Sequence, residues 1–254
     1  MSSLVIEHLD LPAGPRHARA YEVAGERAGD VLAGRTVWCA TALPRARRAA
    51  EQLRDHIEGA APDGAAETLH IQADEPQLRA AEHVDRLLDG GDARRAGLPR
   101  EEQESYAEAA ARGGLFEAGV GDGDVVVAHD ALSALLIEAA RERGAHAIWR
   151  VRLRGRSSTS GAHQALELVR RFTPGVDAYA ITWQERGPHG EIFESVAAAM
   201  PSAGILASKE FPSRSAGVEP RRLAWRMALA EIVRSDRGEC VGGTLQPRPT
   251  VAAR

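Results

Sequence analysis

Four groups of side chains in this sequence are of a type that does chemistry, and each sits at the end of an apolar run. His129-Asp130 follow Val125-Val126-Val127-Ala128. A histidine beside a carboxylate suits the holding of sugar hydroxyls or the passing of a proton. Arg150, Arg152, Arg154 and Arg156 follow Trp149, with Ser157, Ser158 and Thr159 beyond them. Alternate residues of a strand share a face, so this spacing makes a row of guanidiniums beside hydroxyls, suited to phosphate or carboxylate. Trp183 and Glu185 follow Ile181-Thr182; an indole face can stack on the C–H face of a sugar. Arg45, Arg47 and Arg48 stand at the start of a helical stretch, where they would attract an anion.

Each group also has a plainer reading. Asp130 would serve as a helix N-cap with His129 packed in the turn. The arginine row would be a strand running out into a charged loop, and Arg45, Arg47 and Arg48 a solvated basic face. Trp183 would be core. The expected substrate-binding set is His129, Asp130, Arg150, Arg152, Trp183 and Glu185, with Arg45, Arg47 and Arg48 as the anion-binding set. No catalytic residue and no metal ligand is assigned.

Many chemistries are excluded by what is missing. There is no GxSxG, HExxH or GxxxxGK[ST] motif, and no GxGxxG after a strand. The nine histidines have no metal-ligand spacing, and the two cysteines, Cys39 and Cys240, form neither a CxxC pair nor a disulfide framework. No cofactor is expected. The net charge of −4 argues against nucleic acid as a partner. No apolar run approaches the ~20 residues of a membrane span, and no secretory signal opens the chain. The expected location is cytoplasmic, with no membrane partner. Lys209 is the single lysine among 32 basic residues, a bias toward arginine that fits a GC-rich genome such as an actinobacterial one.

The elements that must position these residues follow from pattern and punctuation. With 254 residues, 44% hydrophobic and 27% charged, the chain is of ordinary globular composition. Strands are predicted at 36–40, 67–73, 125–128, 145–151 and 177–182, with a short one at 203–207. Helices are predicted from Pro44 to about Ile57, over 75–88 capped by Asp74, over 100–118, from Asp130 to Arg143, over 163–172, and from about Leu223 to Val233. The turn Gly121-Asp122-Gly123-Asp124 precedes a strand, at the end away from ligand, and reads as structural. Strands alternating with helices imply an α/β, three-layer, Rossmann-like domain with a mostly parallel sheet. The expected division is a lead-in and helix over 1–34, the Rossmann-like domain over 35–215, and a C-terminal helix with a flexible tail over 216–254. Ligands of such sheets sit at the carboxyl ends of the strands, where the candidate groups lie.

The order of these pieces resembles the N-terminal half of the trehalose synthase family of retaining glycosyltransferases. The resemblance runs through Tyr21, Gly25 and Gly34-Arg35-Thr36-Val37-Trp38, then Asp74-Glu75-Pro76 and the helix ending His83-Val84-Asp85-Arg86-Leu87-Leu88-Asp89-Gly90. It continues through GDGDVVVAHDALSALL, RGAHAIWRVRL, Asp177-Ala178-Tyr179 and Met200-Pro201-Ser202-Ala203, covering about residues 20–215. The sequence departs from the family in its first loop, where Leu43-Pro44-Arg45-Ala46-Arg47 replaces a glycine-rich segment. It departs again at Ala131, where the family has proline, and at Arg152, where it has histidine.

What the resemblance implies is one half of a two-domain (GT-B) glycosyltransferase, the half that holds the acceptor. The stretch after Phe211 is too short for the donor domain, since a Rossmann domain needs on the order of 100 residues. The expected protein is therefore glycosyltransferase-like but without independent catalysis. It would bind a sugar or sugar phosphate and act with a donor-domain partner. The alternative is a non-catalytic scaffold or regulatory subunit that pairs with another protein or with itself.

Overall fold

The apolar runs become strands of one seven-stranded sheet. A computed structural model of the chain describes residues 5–6, 30–58, 65–89, 98–111, 119–153, 160–183, 204–209, 229–230 and 233. The strands are β1 (Val5–Ile6), β2 (Thr36–Thr41), β3 (Ala65–His70), β4 (Val125–Ala128), β5 (His146–Leu153), β6 (Ala178–Trp183) and β7 (Gly204–Lys209). Between them lie α1 (Pro44–Glu58), α2 (Glu75–Leu88), α3 (Arg100–Ala111), a 3-10 turn (Ser133–Leu136) running into α4 (Ile137–Glu142), and α5 (Ser160–Phe172).

Every strand pair is parallel, in the order β1-β7-β6-β5-β4-β2-β3. The fold is α/β and Rossmann-like, as the alternation predicts. From β2 the chain passes to β3 on one side, then crosses back to β4 on the other. That reversal opens a crevice between the carboxyl ends of β2 and β4.

Alternation along the strands divides the core between the two faces. Val37, Cys39, Val125, Val127, Ile148 and Ala178 point to the face covered by α1, which Leu229 and Val233 also join. The C-terminal helical residues are thus packed into the same core. Ala128, Ala147, Trp149, Val151 and Tyr179 point the other way, against α2, α3 and α5. β4 is apolar at all four positions because it is buried on both faces.

Several bounds differ from the sequence reading. β1 lies within the expected lead-in; two residues are too few to show a period, and the strand exists through its pairing with β7. The helix expected from Asp130 begins as a 3-10 turn at Ser133. The tail beyond Val233 lies outside the described residues.

Local polar contacts explain the turns. Asp74 and Gln77 form a reciprocal capping box at the start of α2. The Gly121–Asp124 turn is structural, as expected. The Asp124 carboxylate accepts from the Thr36 N–H at 2.9 Å, the Gly121 N–H at 2.9 Å and the Trp38 indole at 3.1 Å. It ties the entry of β4 to the entry of β2, at the end of the sheet away from the crevice.

Candidate functional site

The loop after β2 has no glycine, yet it makes a tight turn into α1. In nucleotide-binding α/β domains the first amides of such a helix face a ligand phosphate. Here the amides of the two residues just before the helix, Ala42 and Leu43, face Asp130. Its Oδ2 accepts from the Ala42 N–H at 2.7 Å, the Leu43 N–H at 3.0 Å and the Thr41 hydroxyl at 2.9 Å. Its Oδ1 accepts from the Ser133 N–H at 2.7 Å. The Ser133 hydroxyl in turn accepts from the N–H groups of His129 and Asp130, each at 3.0 Å.

The residue is only 2% exposed. The Asp130 carboxylate, expected to bind sugar, is engaged by four donors of its own chain, which favours the plainer reading of a cap. It fills the place of a bound anion at the start of α1 and caps the turn after β4. A loop liganded by an internal carboxylate does not need the glycines that admit an external phosphate.

Beside this plug lies a cleft of about 120 Å³ at the carboxyl end of β4, over the middle of β5. Its polar lining is Arg45 from α1, Asp85 and Asp89 from the end of α2, His129 after β4, and Arg150 of β5, with Trp149 among the apolar walls. The Arg150 guanidinium donates to the Ala49 carbonyl at 3.4 Å and lies 3.4 Å from Nδ1 of His129.

Arg45 is held by an ion pair with Asp85, Nη2 to Oδ2 at 2.8 Å. The other Asp85 oxygen accepts from the Ala131 N–H at 3.1 Å. Tyr106 of α3 donates to the Ala131 carbonyl at 2.5 Å, anchoring the same turn from below. α3 is itself held to α2 by the contact between His83 Nδ1 and Glu102, at 2.5 Å.

Burial pushes the Asp85 carboxyl up from 3.8 to about 7; the Asp130 charge adds to this, while Arg45 and the Ala131 N–H oppose it. The consequence for stability has a definite sign. The folded chain binds this proton more tightly than the unfolded one. Ionising Asp85 therefore costs nothing below about pH 4, costs progressively more as pH rises, and costs its full amount above about pH 7. The side chain is 17% exposed, and we expect a total of about 2–4 kcal/mol. Urea titrations from pH 4 to 8 should show wild type losing this much relative to Asp85→Asn. Parallel curves for the two proteins would refute it.

The remaining candidates fall in different places. Arg47 and Arg48 are exposed on α1, so of that trio only Arg45 reaches the cleft. Arg152 lies in β5 opposite Thr182, and Trp183 ends β6 opposite Leu153. Glu185, Arg154 and Arg156 lie outside the described residues. Cys39 is buried under Arg150's face of the sheet, and burial pushes its thiol up to about 12. It stays protonated and unreactive. Among the described residues no three His, Cys, Asp or Glu side chains gather as a metal site would require.

Asp85 is the residue that the sequence reading missed as a functional group. Its signal was present. Ala81, Val84 and Leu88 are buried on α2, and position 85 lies on that stripe by helical spacing. A carboxylate on an apolar stripe needs a partner inside the fold.

Among the described residues no helix is long and apolar enough to cross a membrane. No protein-family model matches the sequence, and neither does any curated protein.

Proposed function

We propose that the cleft holds a sugar phosphate, or the hydroxyls of a free sugar, as the acceptor side of a glycosyltransferase-like protein. The NDP-sugar would be held by a separate domain or partner protein. The supporting observation is the convergence of Arg45, Asp85, His129 and Arg150 beside the crevice where β2 and β4 diverge. Two guanidiniums and an imidazole suit a phosphoryl group, and a carboxyl among them suits an adjacent hydroxyl. Glycosyl transfer needs positive groups on the departing diphosphate and an acceptor held in line with the anomeric carbon. The cleft fits the second task. The amides of Ala42 and Leu43 in the loop before α1, already bound by Asp130, are not offered to a diphosphate.

A thermal-shift titration of the purified chain tests this reading with glucose 6-phosphate, glucose, trehalose and NDP-glucoses. Sugar phosphate at 100 times its dissociation constant should stabilise by about 2.7 kcal/mol. Arg150→Ala should weaken that binding by about 10–100-fold, the value of one or two charged hydrogen bonds. It should cost no more than about 1 kcal/mol of stability, because the side chain is only partly buried. A shift with NDP-glucose alone would overturn the proposal. No shift across the panel would favour the scaffold alternative, for which light scattering of the free chain gives the oligomeric state.

A further inference from the structure

Arg45 and Asp85 form an ion pair inside the cleft. An anion entering the same space competes with Asp85 for that guanidinium. Building on the proposed function of this cleft, we propose that Asp85 makes anion binding proton-coupled: it pairs with Arg45 in the free chain and takes up one proton when an anion engages Arg45 and Arg150.

The balance is simple. A free carboxylate–guanidinium pair, an anion and one proton from solvent become an anion–guanidinium pair and a neutral carboxyl. The neutral carboxyl then has an O–H to donate to the bound anion or to a hydroxyl beside it.

The geometry supplies the coupling. Asp85 faces Arg45 from α1, and the Ala131 N–H and the Asp130 carboxylate from the turn after β4. It also faces the buried Tyr106 phenol from α3, with Asp89 of its own helix and His129 and Arg150 lining the same cleft. A second negative charge already stands near it in Asp130. A bound anion adds another and also draws on the cation that holds Asp85 ionised. Like charges in a poorly solvated site disfavour the ionised form. The free-chain carboxyl, already raised to about 7, needs only a modest further rise to bind its proton across the neutral range.

Sulfate is the appropriate probe because it carries the same charge at every pH from 6 to 9. Calorimetric titrations in two buffers of different ionisation heat count the protons taken up. Wild type should take up most of one proton per sulfate near pH 8. Its dissociation constant should weaken several-fold per pH unit between 7 and 9, toward the tenfold limit for one proton. Asp85→Asn should bind sulfate with neither uptake nor slope in that range. His129→Gln should keep proton uptake and slope, because the coupled proton is carried by Asp85. Should Asp85→Asn fail to fold, the infrared difference spectrum of wild type on sulfate addition gives the same answer. A protonated-carboxyl stretch should appear as sulfate binds.

Sulfate binding that is lost in Arg150→Ala but involves no proton would keep the site and overturn the coupling. Proton uptake that survives Asp85→Asn would also overturn it. No sulfate or phosphate binding by wild type at any pH would overturn the cleft as an anion site, and the coupling with it.

Discussion

Asp130→Ala should destabilise the protein by about 3–5 kcal/mol, a large share of the 5–15 kcal/mol that holds an ordinary domain together. The change removes a buried acceptor from three backbone N–H groups and one hydroxyl. Each buried donor left without a partner costs about 1–3 kcal/mol. Two of those donors, Ala42 and Leu43, lie in the loop that leads from β2 into α1, and the third, Ser133, opens the 3-10 turn. One substitution therefore uncaps the 3-10 turn and unties the carboxyl ends of β2 and β4. Asp130→Asn should also be costly, because its single carbonyl oxygen cannot satisfy both groups of donors. Denaturant titration of the three proteins decides the matter. If Asp130→Ala keeps its stability and loses only sugar binding, Asp130 is a ligand residue and its assignment to the fold is wrong.

Trp149→Ala should cost a similar amount, about 3–5 kcal/mol, for a different reason. Trp149 is 1% exposed and packs edge-on against Tyr179, with ring centroids 5.7 Å apart and planes at 62°. Its removal leaves a void in the cluster that joins the sheet to α2 and α5. The effect is transfer and cavity energy, not hydrogen bonding. Trp149→Phe should therefore recover most of it, whereas no isostere rescues Asp130. Trp149 also lines the cleft next to Arg150. Binding should weaken in Trp149→Ala even under conditions where the protein remains folded. A melting curve unchanged by Trp149→Ala would show that the wall of the cleft carries no packing load.

The fold was legible because its signals are periodic and local. The run Val125–Ala128 could only be a strand buried on both sides, and Asp74 announced the start of α2. β1 was not legible, because a two-residue strand is defined by a partner at the far end of the sequence. The site was half legible. His129 could be read because it follows an apolar run and so lies at a strand end, and Arg150 because it follows Trp149, although β5 runs on past it to Leu153. Asp130 stood between two readings that sequence cannot separate. A carboxylate after a strand looks the same whether it faces a ligand or the amides of the neighbouring loop. Only the topology, which puts β4 beside β2, brings those amides within reach. Asp85 went unread because its neighbours in space, Arg45 and Ala131, come from other elements on either side of α2 in the chain.

The pairing of β1 with β7 sets an order of assembly. Val5 leaves the ribosome 200 residues ahead of its partner Ile205. The inner strands can associate as each crossover is completed, but β1 has no strand to join until β7 has docked on β6. Long-range closure of this kind carries its entropy cost before its contacts form. The edge made by β1 is therefore the last part of the sheet to be laid down.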